Sequence, residues 1–397
     1  MGSALPPTGE DCMEPTFGQP SRRPPSARVR RRRTLVVAVL AVAAITMTVT
    51  VIALNQPQAD AALAPPDATA TSTATPTPAP TALTPSEALL ATTDDPSACA
   101  VSFSGDGVID APMLQTEGTL YTGLPIPVRE GSVFGGWYAT PADAASWAIP
   151  ARVNGAELVV CIDHEVTLHG SWKTPEENAA EDARIPILMY HQFTVKPDGE
   201  DNWLRGNYAF IGDFDAHMNH IATTGFYLPT WDELAAFIDG RLFLPNHSVI
   251  VTDDDADQTW FDLAAPVVDK YEVLTTSFMI TAYRQDPPPN AYVLRRSHTH
   301  DMHQAGANGD GRIVNWSVPE IVADMAASYQ VLGAKEIMAY PFGHHNDTSK
   351  EGLRQAGWEM ARTIEPGYVS VGTDKLALPT VRINYGMGLD ALVRLIG

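Results

Sequence analysis

The chain has 397 residues and a net charge of −21, more than one ordinary domain needs. The charge is unevenly spread: residues 1–33 hold seven Arg against three acids, a net of +4, so the other 364 residues carry −25. A body that acidic lacks the basic surface that neutralises phosphates and argues against nucleic acid as a partner.

Residues 1–33 are rich in Pro, Ser and Arg and read as a basic cytoplasmic tail. Thr34 to Leu54 is a run of 21 residues without a charge or a Pro. It is long enough to span about 30 Å of hydrocarbon. Arg30 to Arg33 precede it and should stay inside, which predicts a single-pass anchor with the body outside the cell. A signal peptide cleaved within Ala59–Ala64 is the competing reading. Residues 55–98 are dominated by Ala, Thr and Pro. They predict a disordered, semi-extended linker reaching on the order of 130 Å in polyproline geometry. That length suits a domain working within a cell wall.

Residues 99–173 alternate short β-prone runs with Gly and Asp and predict a small β-rich module. Its segment Phe134-Gly135-Gly136-Trp137-Tyr138, closed by a strand ending at Trp172, resembles the internalin-type B repeat, a β-grasp-like unit of bacterial surfaces. The resemblance implies a spacer or wall-contacting module, with Trp137 and Tyr138 in its core. Of the three Cys, Cys12 falls in the tail. Cys99 and Cys161 are either a disulfide, which an oxidising exterior would preserve, or two buried thiols.

From residue 174 an acidic connector leads into alternating elements. Strands are predicted at 185–190, 248–252, 276–280, 336–340, 359–363 and 376–383, and helices at 211–225, 230–240, 259–271, 318–332, 348–357 and 389–396. Repeated βα units predict a parallel α/β barrel or open sheet. In a barrel, functional groups sit at the C-terminal strand ends. Asp254, Asp255, His191, His298 and Pro341-Phe342-Gly343 all fall at such positions.

Asp253-Asp254-Asp255 would repel one another without a cation, a base or open water nearby. About 40 residues later comes Ser297-His298-Thr299-His300-Asp301-Met302-His303. One carboxylate and two imidazoles bind Zn²⁺ or a similar ion and leave positions open for water and substrate. His298 and His303 are five apart, about 140° around a helix, so a strand end or turn must present them. An adjacent acid that does not bind the metal is free to take a proton from water.

These residues, in order, resemble the polysaccharide deacetylase family (carbohydrate esterase family 4, the NodB homology domain), in its poly-N-acetylglucosamine deacetylase-like branch. Ile185-Pro186-Ile187-Leu188-Met189-Tyr190-His191 matches the opening motif. Thr252-Asp253-Asp254-Asp255-Ala256 matches Thr-Phe-Asp-Asp-Gly, and Ser297 to His303 matches Ser-His-Thr-x-x-x-His. Ala339-Tyr340-Pro341-Phe342-Gly343 matches Ala-Tyr-Pro-Tyr-Gly. The resemblance implies a distorted (β/α)7 barrel over residues 174–397 and a metal-dependent N-deacetylase. Asp254 is then the general base, and Asp255, His298 and His303 hold the metal, Zn²⁺ with Co²⁺ or Ni²⁺ as alternatives. Tyr340, Pro341, Phe342, His191 and Arg382 line the substrate groove, with a backbone N–H near Phe342 for the oxyanion. Arg362 or Arg382 orients the base.

Asp253 stands where the family has Phe, and Ala256 where it has Gly. A third acid either raises the base's pKa or shifts the metal register to Asp253-Asp254; Thr252 and Pro266 favour the register given. The family's late histidine acid has no counterpart after Arg382, which leaves His191, His300, His344 and His345 as substitutes. The expected partner is a cell-envelope polysaccharide, acted on by a monomer. A glycan-binding protein on an impaired scaffold, or a polysaccharide O-acetyl esterase, are the alternatives.

Overall fold

The computed structural model describes residues 82–201, 204–283 and 287–397. The basic tail, the expected membrane anchor at 34–54 and most of the linker lie outside the described residues. Among those described, no helix is long and apolar enough to cross a membrane. They belong to one compact unit, Pro80–Gly397.

The described residues begin inside the stretch whose composition predicts a linker to residue 98. Helix Pro85–Leu90 is started by a capping box between Thr84 and Glu87. Its Ser86 hydroxyl is bonded to that of Ser102 at 2.8 Å. One capping box suffices to start a short helix in Ala/Thr/Pro-rich sequence.

The first sheet holds five strands: β1 (Ala98–Ser104), β2 (Met113–Thr116), β3 (Val133–Tyr138), β4 (Arg152–Val153) and β5 (Glu165–Lys173). Their order is β2-β1-β5-β3-β4, with the central β1 and β5 parallel. Cys99 and Cys161 form a disulfide across a 62-residue separation. A loop of that length is worth about 4 kcal/mol in the chain-entropy account. Trp137 and Tyr138 are buried, as expected.

The module is not a free spacer. Phe134 exchanges backbone hydrogen bonds with the segment Arg241–Phe243, both at 2.9 Å. The buried Arg152 guanidinium donates to Phe243 O at 2.7 Å and to Glu233 Oε1 at 3.1 Å. Asn154 donates to Glu233 Oε2 at 2.6 Å. The two glycines of Phe134–Trp137 make this possible. A Cβ on Gly136 would sit 2.2 Å from Arg152 Nε, and one on Gly135 2.3 Å from Ser171 Oγ. One hydrophobic cluster runs from Phe134, Trp137 and Leu168 through helix Trp231–Ile238 to Ile187, Ile250, Phe278 and Leu378.

Those last residues belong to a closed seven-stranded barrel. Its strands are β6 (Ile187–Tyr190), β9 (Ile250–Asp255), β10 (Thr275–Met279), β11 (Val293–Ser297), β12 (Ile337–Ala339), β13 (Met360–Pro366) and β14 (Leu378–Arg382). The order is β10-β11-β12-β13-β14-β6-β9, and every pair is parallel. A small parallel pair, β7 (Gln192–Thr194) with β8 (Tyr208–Phe210), follows β6. Side chains alternate along each strand. Ile187 and Ile250 join the inner cluster, while Leu188, Val249 and Val251 pack outward with helices Ile211–Thr224 and Leu389–Ile396. β12 pairs with β11 through a single register position, Ser297 with Met338. The barrel is therefore thinnest beside the histidine segment.

Replacing Arg152 with Ala leaves Glu233 buried without its cation. A loss of about 3–5 kcal/mol is expected, measurable by denaturant unfolding of the module and barrel as one transition. Two separate transitions in the wild type would contradict the shared core.

Candidate active site

The carboxylates of β9 diverge because successive side chains on a strand point to opposite faces. Asp253 is fully buried on the outward side, where Ser277 donates to its Oδ2 at 3.1 Å. Burial, and then the neighbouring charges of Asp254 and Asp255, push its pKa well above the usual carboxylate range. Asp254 points inward and is bonded to the buried Arg362 guanidinium. Its other oxygen lies 3.6 Å from His191 Nε2. Burial alone would raise its pKa, but Arg362 and then His191 outweigh that and hold it below the usual value.

Asp255 ends the strand. Its Oδ1 lies 3.4 Å from His298 Nε2 and 3.3 Å from His303 Nε2. These three are the one such donor cluster among the described residues. The donor cluster is the one built on Asp255, and Asp253 faces away from it.

The donors fit a divalent ion. Two ligands each about 2.1 Å from a tetrahedral centre stand about 3.4 Å apart, by the usual zinc bond lengths. His298 Nδ1 is 2.9 Å from Ala339 O, which fixes that nitrogen as a donor and turns Nε2 toward Asp255. Burial, with the neighbouring His298 charge adding to it, pushes His303 down to about 4, so it is neutral at pH 7. Asp255 Oδ1 is buried with no hydrogen-bond partner. A cation between them would satisfy Asp255 Oδ1 and both Nε2 atoms.

The segment joining the two histidines is a turn built from side-chain acceptors. Thr299 N donates to Ser297 Oγ at 2.9 Å, and Met302 N to Thr299 Oγ1 at 3.2 Å. The Ser and Thr of the motif are thus structural. Backbone strain concentrates here: Asp255, Ala256, Thr299 and Phe342 all have φ between +48° and +73°. Such conformations cost free energy and persist only where packing enforces them. Ala256 adopts the left-handed turn without being Gly, fully buried.

The groove residues divide. Phe342 is 43% exposed, with its ring centroid 4.3 Å from that of His303. Ile364 and Tyr283 are also exposed at this end, the latter accepting from Gln304 beside His303. Tyr340 does not line the opening: it is 1% exposed, packs in the outer core and donates to Leu376 O at 3.0 Å. Pro341 is likewise buried. Strand alternation turns Tyr340 outward, a fact the motif alone does not carry. Arg382 bonds Asn207 rather than Asp254, so Arg362 is the partner of the acid. Of the four open histidines, His191 touches Asp254. His300 Nδ1 contacts Thr281 Oγ1, His344 accepts from Gly311 N, and His345 Nδ1 contacts Gly343 O.

No family model matches the chain. The poly-β-1,6-N-acetyl-D-glucosamine N-deacetylase of Staphylococcus aureus (strain MRSA252) is 25% identical over 161 residues, covering 35% of this chain. The chain thus spans about half of that relative, 56% of its length. A Bacillus subtilis protein provisionally named a polysaccharide deacetylase is 26% identical over 220 residues, 53% of this chain and 75% of its own. Among solved structures, the Streptococcus pyogenes deacetylase PplD in complex with acetate aligns with 54% of this chain and 99% of its own. The identity is 21% and the TM-score 0.46.

Burial and the neighbouring carboxylates raise the folded-state pKa of Asp253 above its unfolded value. Its contribution is fully present below the unfolded value near 4 and is lost as pH rises toward the folded value, at up to about 1.4 kcal/mol per pH unit. Asp253→Asn removes that loss. The variant is expected to gain thermal stability over the wild type at pH 8 relative to pH 5, read by melting temperature across that range. A constant difference at both pH values would contradict the raised pKa.

Proposed function

On the premise that this chain's relatives are polysaccharide deacetylases, we propose that it is a metal-dependent polysaccharide N-deacetylase. It hydrolyses acetamide groups of an N-acetylglucosamine-type glycan and releases acetate. The observation that carries the reading is the Asp254–Arg362 pair standing beside the Asp255, His298 and His303 cluster.

In this reading Asp255, His298 and His303 hold the ion, which when bound supplies Lewis acidity toward the acetyl carbonyl and acidifies water. Asp254, kept ionised by Arg362, accepts the proton of the attacking water. Arg362 also donates to Thr363 O at 3.1 Å, which limits its freedom and fixes the direction in which Asp254 presents its free oxygen. His191, 3.6 Å from that oxygen, relays the proton to the departing amine. In the turn at Phe342 the hydrogen bonds are made by the N–H of Gly343 and of His344. That leaves the Phe342 N–H for the oxyanion. The exposed rings of Phe342 and Tyr283 offer apolar faces to sugar rings.

The glycan choice follows from the named substrate of the S. aureus relative. The extracellular, membrane-anchored location rests on the apolar run 34–54 behind its arginines. It is supported by the Cys99–Cys161 disulfide, a bond that persists in oxidising compartments.

The full chain is expected to release acetate from N-acetylglucosamine oligomers, to lose that activity with a chelator and to regain it with Zn²⁺ or Co²⁺. Asp254→Asn should lower kcat about 10²–10⁴-fold while one equivalent of metal still binds. Acetate release from an O-acetylated glycan alone would favour the esterase reading. Metal-independent release would overturn the proposal.

Phe342→Ala is expected to raise KM for the oligomer several-fold with a smaller change in kcat, because the ring contributes binding area rather than a reacting group. A loss confined to kcat would contradict that assignment.

A further inference from the structure

The barrel's ladder reaches the start of the turn that carries His298 and His303: His298 N donates to Met279 O at 2.8 Å, Thr281 N to Thr299 O at 3.1 Å and Ala282 N to His300 O at 3.0 Å. Between the two histidines, His300 N donates to Asp324 Oδ1 at 2.7 Å and Asp301 N donates to Asp324 Oδ2 at 2.8 Å. Asp324 stands on helix Val318–Leu332 and is 7% exposed. One turn on, Ser328 of the same helix meets Ser297, the residue before His298, at 2.7 Å. Four consecutive amides, 299 to 302, thus end on side-chain oxygens, and the two central ones share a single carboxylate. From the solvent side Arg312 donates to Asp301 O at 3.1 Å. Thr299 is held at φ +71°, a value a β-branched residue avoids when unconstrained. Bonds from outside the turn enforce that shape: Thr281 N donates to Thr299 O itself at 3.1 Å, and Asp324 holds the next two amides.

We propose that Asp324 is a positioning residue for the metal centre: its carboxylate, gripping both central amides, fixes the separation of His298 and His303 and so sets metal affinity and geometry. The inference rests on the metal-dependent reading above. Asp324 touches neither ligand side chain. Its effect runs through the backbone, which distinguishes it from the His298–Ala339 contact that acts on the ring itself.

The test is a Co²⁺ titration of the purified full chain, read by its visible absorption bands. Asp324→Asn keeps one acceptor oxygen and places an NH₂ against the other amide. It is expected to bind Co²⁺ about 10–100-fold more weakly, the range seen when supports of metal ligands are lost, and to shift the bands. Asp324→Ala should bind more weakly still. A weaker affinity with unshifted bands would mean that only the long-range charge was lost, and would overturn the clamp. Wild-type affinity and bands in a folded Asp324→Asn would overturn it too. If Asp324→Ala does not fold, amide exchange in the wild type decides. His300 and Asp301 should be protected in metal-free protein, and rapid exchange there contradicts the proposal. Absence of Co²⁺ binding by the wild type would instead sink the metal-dependent function, and the clamp with it.

Discussion

Three adjacent carboxylates at the end of one buried strand are the constraint around which this barrel is arranged. Like charges so close cannot all be ionised without compensation. The strand separates them by alternation, and each meets a different remedy. Asp253 is turned into the buried outer layer beside Ser277, where its pKa is pushed up. Asp254 is turned inward onto a buried guanidinium. Asp255 is carried round a left-handed bend to face two imidazoles. Only the second and third leave a charge at the open end of the barrel, and those two charges are what the proposed chemistry uses.

The surrounding structure serves that arrangement. β13 supplies Arg362 and β12 supplies the carbonyl that fixes His298. Helix Val318–Leu332 grips the turn between the histidines. The module at the other end contributes rigidity rather than chemistry. Its contacts run through Arg152, Glu233 and the shared core near the strand starts.

Much of the site was legible in the sequence because short motifs hold its parts together. Asp254, Asp255, His298 and His303 were singled out by motifs that resemble a known family, and the structure brings Asp255 against both histidines. What was not readable depends on direction or on distant packing. Tyr340 lies within a recognisable motif, but strand alternation buries it. The choice between Arg362 and Arg382 is decided by which side chain reaches Asp254 across the barrel interior, since neither β13 nor β14 pairs with β9, and that is a property of barrel closure. Strand β11 was absent from the predicted elements because Arg295 and Arg296 interrupt its apolar pattern; Arg296 pairs with Glu336 at the barrel's edge. The module's fusion to the barrel was hidden for the same reason. Arg152 and Glu233 are 81 residues apart, and nothing local marks them as partners. Asp324, on a helix with an ordinary amphipathic pattern, gave no signal at all.

The proposed chemistry needs Asp255, His298 and His303 to share one divalent ion, which X-ray absorption at the zinc edge of the full chain loaded with one equivalent of Zn²⁺ can show. The expected spectrum has a nitrogen and oxygen shell at about 2.0–2.2 Å with the outer-shell pattern of two imidazoles, one of which is lost in His303→Ala. A spectrum with a single imidazole in the wild type, or one unchanged by that substitution, would contradict the claim.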